Sequence, residues 1–213
     1  MKISTIVDKL RLEKKEFVTS EELKEYCKVF KIDHKSAIHY LTKMKYLVRI
    51  FRGIFYVKTL EEFKLGTTSK YNHLELVAKG LELKGVKNWY FGRHTALKLN
   101  NMTHEYFTID EVISDTIFRA KPINIAGNKF RFVKLSPVLL NFGIKKEKMY
   151  RYSDPEKTIL DFIYLSTYDG MPAERIVMDV ADWAENVSKN KIRKYSANYP
   201  KTVAKIASEV VTK

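Results

Sequence analysis

The chain has 213 residues, of which 45% are hydrophobic and 30% charged, and its formal net charge is +14. This length suits two domains, and the apolar fraction lets each bury a core, so disorder is not the expected state of the chain. The positive charge favours polyanionic partners, because Lys and Arg that neutralise phosphates release condensed counterions. Residues 1–58 carry 14 Lys and Arg against 7 Asp and Glu, so half of the excess charge lies there.

The composition and the amino terminus also bear on the compartment. The one cysteine, Cys27, cannot form an intramolecular disulfide, so nothing indicates an oxidising environment. Its apolar neighbours predict a buried side chain rather than a nucleophile. The first residues reach Asp8 before a signal-peptide apolar region can form, and no stretch approaches the roughly 18 apolar residues of a membrane span. We expect a cytoplasmic protein without membrane contact.

Two amphipathic helices are predicted in the first 30 residues. The first runs from about residue 4 to 15, and its apolar positions share one helical face: Ile3, Ile6, Val7 and Leu10. The second begins after Thr19 and Ser20, where a hydroxyl can cap backbone N–H groups ahead of Glu21 and Glu22. Its predicted inward stripe is Leu23, Tyr26, Cys27 and Phe30.

A third helix, from His34 to about Lys45 with Asp33 as its N-cap, follows a tight turn at residues 31–32. Its predicted inward residues are Ala37, Leu41 and Met44. The residues left outside are Lys35, Ser36, His39, Thr42 and Lys43. Short polar and cationic groups near the start of a helix that follows a tight turn are typical of a recognition helix in the major groove. The alternative is a merely solvated face.

Residues 47–58 predict a β-hairpin with Arg52 and Gly53 at its tip, since β-branched and aromatic residues fill both flanks. Arg49 and Arg52 should face solvent there, where a cationic tip fits the phosphate backbone or the minor groove. Three compact helices followed by a hairpin are the element order of a winged helix-turn-helix. We therefore predict such a DNA-binding domain over residues 1–58.

The rest of the chain predicts a linker at residues 59–70 and a larger α+β domain, with a small sheet and C-terminal helices, over residues 71–213. The expected helices and strands of that domain, in chain order, are a helix from residue 71, a strand at 89–91, a helix at 93–99, a strand at 105–109, a hairpin at 122–135, a helix after Asp154 and Pro155, a helix at 173–187 and a last helix after Pro200. The tail from Lys189 holds seven Lys and Arg against one acid. Both a second basic surface and a solvated helix face remain open for it.

No arrangement of residues predicts catalysis. The chain has no glycine-rich phosphate loop and no Cys/His spacing for zinc, so we expect no cofactor, no metal and no catalytic residues. The acids Asp154, Glu156 and Asp161 could suggest a metal-dependent nuclease. On one helix, however, Glu156 and Asp161 face different ways, which favours capping and surface solvation. His94 is expected to be a packed or capping side chain.

The order of these motifs resembles the AbiEi-type antitoxins of bacterial and archaeal abortive-infection systems. The resemblance covers about residues 5–165, and the segments that carry it are 53–56, 90–97, 125–132 and 154–161. It implies a repressor that binds promoter inverted repeats of its own operon and antagonises a nucleotidyltransferase-like toxin, without a stable complex. The stretch from Asp110 to Phe118 departs from the family by being a longer link than usual.

The sequence thus predicts a DNA-binding repressor with an antitoxin role, whose partners are double-stranded DNA and a cognate toxin. Two alternatives stay open. One is a nucleic-acid-processing enzyme that uses the winged domain for docking. The other is a protein-binding module without DNA contact.

Overall fold

A computed structural model of the chain describes residues 3–66, 70–185 and 187–212. The fold is mixed α+β, with one small sheet, one larger sheet and C-terminal helices. Its contacts divide the chain into two compact units: the first is made of residues 1–87 and 125–127, and the second of residues 88–124 and 128–213. Among the described residues, no helix combines the length and hydropathy needed to cross a bilayer.

The first unit consists of helices around a small antiparallel sheet. Its described elements are α1 (Ser4–Leu12), β1 (Phe17–Thr19), α2 (Ser20–Phe30), α3 (His34–Lys43), β2 (Leu47–Phe51), β3 (Ile54–Val57), α4 (Leu60–Lys64) and α5 (His73–Leu83). The sheet order is β1-β3-β2. Strand β1 was not expected, because three residues are too few to show an alternating pattern.

The core of this unit joins α1, α2 and α3 to the sheet. This core confirms the predicted inward faces of the three helices. Its buried members include Ile6, Val7, Leu10, Leu23, Cys27, Ala37 and Leu41. Met44 is an exception: it is 43% exposed, because α3 ends at Lys43 and the chain then leaves the helical face. The first helix is also shorter than expected and ends at Leu12, ahead of Lys14 with a left-handed φ of 54°.

The segment expected to be a linker instead continues the first unit. Thr59 and Glu62 form a capping box on α4, and the Tyr56 hydroxyl donates to the buried Glu62 carboxylate at 2.9 Å. Helix α5 packs on the sheet so closely that a Cβ on Gly80 would lie 2.6 Å from Ile50 Cγ2. The unit boundary therefore follows Lys87 rather than residue 70. Residues 67–69 of the expected linker lie outside the described residues.

The second unit is built on a mixed sheet with helices packed against it. Its described elements are β4 (Trp89–Phe91), α6 (Arg93–Leu99), β5 (Ile109–Ser114), β6 (Arg119–Ile125), β7 (Asn128–Lys134), a short 3₁₀ helix (Pro137–Leu140), β8 (Ile144–Glu147), β9 (Tyr150–Ser153), α7 (Pro155–Tyr168), α8 (Ala173–Ala184), α9 (Lys189–Ser196) and α10 (Lys201–Val210). The strand order is β6-β7-β5-β4-β9-β8. Strands β5 and β7 are parallel, as are β4 and β9.

Two sequence expectations for this sheet were wrong. The strand placed at residues 105–109 begins only at Ile109, and the supposed long link from Asp110 to Phe118 contains most of β5. Strand β5 was hidden because it is buried on both faces and so lacks an apolar and polar alternation. Strands β8 and β9 were also missed, since their exposed lysines mask the hairpin.

Helix α7 lies at the centre of the second unit, and its start confirms the sequence prediction. Asp154 caps it by accepting from the Lys157 N–H at 2.8 Å, and Pro155 occupies the first turn. The expected surface solvation of the nearby acids was wrong, because Asp154, Glu156 and Asp161 are all buried. Helix α7 packs against α6, α8, α9 and α10, which leaves little of it at the surface.

A buried polar network forms around Lys157 and Asp161, both 0% exposed. The Lys157 ammonium lies 3.2 Å from Asp161 Oδ1, and the hydroxyls of Tyr90 and Tyr199 each donate to that carboxylate at 2.7 Å. Burial first, and then the Asp161 charge, raise the pKa of Tyr90 well above its ordinary value. The ammonium also lies 4.6 Å from the centre of the Phe142 ring. This charge is therefore paired and enclosed by aromatic rings.

Candidate nucleic-acid interface

Helix α3 is held in place at its first turn. Asp33 Oδ2 accepts from the Ser36 N–H at 2.8 Å, and that hydrogen bond is the main cause that lowers the pKa of Asp33. The Nε2–H of His34 donates to the carbonyl oxygen of Ser20 at 3.0 Å. Because Ser20 is the first residue of α2, the contact ties the starts of the two helices together. Lys31, in a left-handed conformation with φ 53°, ends α2 ahead of the turn.

The outward face of α3 carries most of the predicted site residues. Lys35, His39 and Lys43 are exposed, and their spacing of four places them along one face. Ser36 is exposed beside them. Thr42 is only half-buried, and its hydroxyl donates to the Ile38 carbonyl at 2.7 Å. The Thr42 hydroxyl is thus engaged within the helix, as is common for threonine in helices.

The hairpin ends in a tight turn rather than a long wing. Gly53 adopts a φ of 77°, and its carbonyl accepts from the Ser20 N–H at 2.8 Å, so the turn lies against the start of α2. Arg52 is exposed at this turn. Arg49 is exposed too, and its guanidinium carbon lies 5.6 Å from the ring centre of Phe55, its cross-strand partner. Both arginines therefore present their charge to solvent, as predicted.

The charge distribution separates α3 and the hairpin from the rest of the first unit. Residues 34–60 contain no Asp or Glu, and they hold six cations: Lys35, Lys43, Lys45, Arg49, Arg52 and Lys58. Within the described residues, none of Lys35, Lys43, Arg49 and Arg52 forms an ion pair with a carboxylate. Elsewhere in this unit, Lys9 pairs with Glu13 at 3.2 Å and Lys28 with Glu25 at 2.8 Å.

The sequence prediction left out two features of this surface. Lys45 is exposed directly after α3 but was placed at the end of the helix, not in the site. The acid-free run from His34 to Leu60 was visible in the sequence and would have indicated the extent of the surface. We define the cationic surface as the exposed side chains of Lys35, Ser36, His39, Lys43, Lys45, Arg49 and Arg52.

The chemistry of the cationic surface suits a nucleic-acid duplex. A helix fits the width of the major groove, where amine and hydroxyl side chains can reach acceptors on base edges. Arg and Lys at a neighbouring turn can neutralise backbone phosphates. The cations are available for this, since no carboxylate in the described part of the chain competes for them.

The acids considered for metal-dependent chemistry are engaged in structural contacts. Asp154 accepts from the Tyr195 hydroxyl at 3.0 Å, and Glu156 accepts from the Ser188 N–H at 3.0 Å. Burial is the main cause that raises the pKa of Asp154. In the described parts of the chain, no three or more His, Cys, Asp or Glu side chains come together as a metal site would require. His94 is packed, as expected, between Phe107 and Phe162.

Comparisons with known proteins bear on the fold. The sequence matches no protein-family model and no curated protein. The structure is similar to the crystal structure of the RV2827C protein from Mycobacterium tuberculosis, with a TM-score of 0.62 at 12% sequence identity. The match covers 99% of this chain and 76% of that chain. At this identity, the likeness shows that the two chains share a fold and carries no information about activity.

Proposed function

We propose that the first unit contains a winged helix-turn-helix that binds duplex DNA, and that the protein represses its own operon. The observation that carries the proposal is the acid-free cationic surface of α3 and the hairpin, whose cations have no carboxylate partner among the described residues. Major-groove reading by the exposed polar face of a helix, with cations beside the phosphates, accounts for both the shape and the charge.

The order of elements in the first unit supports this proposal. Strand β1 lies between α1 and α2 and pairs with β3, so a third strand joins the hairpin to the helices. Helices α2 and α3 are joined by a three-residue turn, and the His34–Ser20 contact fixes their relative orientation. Such a turn and a rigid second helix are what a helix-turn-helix requires.

The DNA-binding proposal is tested with the full chain and two duplexes of equal length and composition. One duplex carries the promoter of the protein's own operon with its inverted repeats, and the other carries the shuffled sequence. We expect tighter binding of the promoter, measured by fluorescence anisotropy at several salt concentrations. Equal affinity for both duplexes across that range would remove the repressor proposal.

Variants separate sequence reading from phosphate contact. Replacing Lys35, His39 and Lys43 together with alanine should reduce the preference for promoter over shuffled DNA, because these side chains face the groove. Arg52→Ala should lower the affinity for both duplexes by a similar factor, because a cation at the turn would contact the DNA phosphate backbone. A matched control is Lys24→Ala, which removes an exposed lysine of α2. If the control lowers the preference as much as the triple variant, α3 is not the reading element.

We further propose an antitoxin role against a nucleotidyltransferase-like toxin, on the basis of the resemblance carried by segments 90–97 and 154–161. Co-expression with such a toxin, encoded next to this gene, should restore growth of cells that the toxin arrests. The triple α3 variant should still restore growth on an unrelated promoter, because DNA reading and neutralisation would then use different surfaces. Failure of the unaltered protein to restore growth would remove the antitoxin role and leave the DNA-binding proposal standing.

A further inference from the structure

A cationic cluster in the second unit surrounds the buried carboxylate of Glu111, whose side chain is only 2% exposed. The Nδ1–H of His94 donates to Glu111 Oε2 at 2.8 Å, and Arg93 Nη1 donates to Oε1 at 3.3 Å. Arg131, the parallel-strand partner of Glu111, brings its Nη1 to 3.8 Å from the same Oε1. Three nitrogen-bearing side chains from α6 and β7 therefore converge on one carboxylate.

The cluster holds more hydrogen-bond donors than the carboxylate can accept. Each guanidinium carries five N–H groups. Arg93 Nε is buried without a hydrogen-bond partner among the described residues. The Arg131 contact at 3.8 Å is an ion pair but is too long for a hydrogen bond. The buried Arg93 Nε calls for an explanation, because most buried donors in folded proteins are satisfied.

The neighbouring acid does not remove this excess. Asp110 pairs in register with Phe130, so by strand alternation it lies on the opposite face of β5 from Glu111. Its Oδ1 accepts from the Thr95 hydroxyl at 3.1 Å. Two guanidiniums and an imidazole thus share the single Glu111 charge on their face of the sheet.

Two of the three donor side chains, those of Arg93 and His94, are held in place by their surroundings. Arg93 has a left-handed backbone with φ 49°, an uncommon conformation for a long side chain, and its guanidinium carbon lies 5.1 Å from the ring centre of Phe162. The His94 ring packs against Phe107 and Phe162. Strained, over-determined residues of this kind concentrate at binding sites, and their fixed positions reduce the entropy lost when a ligand binds.

The carboxylate stabilises the charged groups that surround it. Burial alone would raise the pKa of Glu111, but the hydrogen bond from His94 and the charge of Arg93 outweigh it and lower that pKa below its ordinary value. Glu111 is therefore an anion that orients its partners. Because its Oε2 takes the Nδ1–H of His94, the other ring nitrogen points away from the carboxylate.

We propose that Arg93, His94 and Arg131 form a binding site for a phosphate group. Arg131, with a 41% exposed side chain, and His94, with a 29% exposed side chain, provide the face that a ligand would meet. The guanidinium fork matches the geometry of phosphate oxygens, and a phosphate dianion matches the cationic excess better than a second carboxylate does. The phosphate would come from a small ligand, either free phosphate or the phosphate chain of a nucleotide.

The test titrates the full chain with inorganic phosphate, pyrophosphate and ATP at constant ionic strength, and it measures binding by calorimetry. We expect saturable binding of at least one probe. Arg131→Ala should weaken it about tenfold, as expected when a charge-assisted hydrogen bond is removed. Lys134→Ala, an exposed cation at the end of β7 and on the other face of the strand from Arg131, is the matched control and should change affinity less than about twofold.

The outcomes separate the sources and decide the proposal. Binding of all three probes indicates a site for phosphate itself, whereas binding of ATP alone indicates a nucleotide. Absence of saturable binding, or equal weakening by Arg131→Ala and Lys134→Ala, would overturn the proposal. The Lys35→Gln/Lys43→Gln variant should retain phosphate binding, and its loss in that variant would place the phosphate on α3 and overturn the proposal. Absence of binding in the unaltered chain leaves the DNA proposal untouched.

Discussion

The cationic surface of the first unit and the buried Lys157–Asp161 network of the second unit hold their charges in opposite ways. In the first unit, Lys35, Lys43 and Arg52 lie at the surface, and no carboxylate pairs with them among the described residues. In the second unit, Lys157 and Asp161 are fully buried, and each charge is matched by a partner. An exposed, unpaired cation costs little and is available to a polyanion, whereas a buried charge is tolerated only when it is paired and hydrogen-bonded. The exposed lysines of α3 are therefore available to a ligand, whereas Lys157 is committed to the fold.

The largest expected effect comes from breaking the buried pair. Lys157→Met should lower the free energy of unfolding of the second unit by about 3–5 kcal/mol, because Asp161 then remains as a buried charge without a cation. Both tryptophans of the chain, Trp89 and Trp183, lie in this unit, so tryptophan fluorescence in urea follows its unfolding alone.

The control for that substitution is Lys35→Met, which removes an exposed helical lysine in the other unit. Its fluorescence transition should match that of the unaltered chain. If Lys157→Met shifted the transition no more than the control, the buried network would not be a determinant of stability, and the contrast between the units would fail.

A smaller effect, with a defined pH dependence, is expected at Glu111. Glu111→Gln should destabilise the second unit by about 2 kcal/mol at neutral pH, because charge-assisted hydrogen bonds to His94 and Arg93 become neutral ones. The pKa of Glu111 is lowered in the folded state from an ordinary value of 4.5. Its stabilising contribution is therefore complete above about pH 5 and is lost as the pH falls through the lowered folded pKa.

The measurement compares urea unfolding of the unaltered chain and Glu111→Gln from neutral to acid pH. The difference between them should be constant down to about pH 5 and should then shrink. The pKa of Asp154 is shifted the other way, because burial raises it. Both proteins contain Asp154, so its effect on the pH dependence cancels in the difference between them. A difference that grows as the pH falls would contradict the role assigned to Glu111.

A still smaller effect tests local structure in the first unit. Thr19 caps α2 by accepting from the Glu22 N–H at 3.2 Å, while Glu22 accepts from the Thr19 N–H at 2.8 Å. Thr19→Ala should cost about 1 kcal/mol, the usual value of an N-cap. Hydrogen exchange of the α2 amides should report this destabilisation. Lys24→Ala, within the same helix, should leave those rates nearly unchanged.

The accuracy of sequence prediction followed the range of the interactions involved. The Thr19 and Asp33 caps, the Gly53 turn and the Asp154–Pro155 helix start were correct, because each depends on residues within one turn. The β8–β9 hairpin was missed because its exposed lysines hide the strand pattern, and strands β1 and β5 were missed or misplaced because they pair with strands distant in sequence. The same reason hid the Glu111 cluster. Arg93 and His94 are adjacent, but Arg131 joins them only through the parallel pairing of β5 and β7.

The unit boundary was missed for a related reason. The absence of helical periodicity in residues 59–70 suggested a linker, yet Glu62 is fixed by the Tyr56 hydroxyl and its own capping box. Side chains that are polar in sequence but bonded in the fold cannot be told from solvated ones by composition alone. Candidate groove residues on α3 were easier to select, because a helical face is set by spacing.

The smallest expected effect on stability carries the most information about function. Replacing Lys35 and Lys43 with glutamine should change the free energy of unfolding by less than about 0.5 kcal/mol, because neither lysine has a structural partner among the described residues. The logarithmic salt dependence of binding to the shuffled duplex, where these lysines meet phosphates instead of specific bases, should nevertheless fall by about 1.8, or about 0.9 for each phosphate that is no longer neutralised. The matched control replaces Lys9 and Lys28, which are paired with Glu13 and Glu25. An equal decrease of the slope in both variants would mean that DNA responds to net charge alone, whereas a decrease confined to the α3 variant would localise the DNA-binding surface to the outward face of that helix.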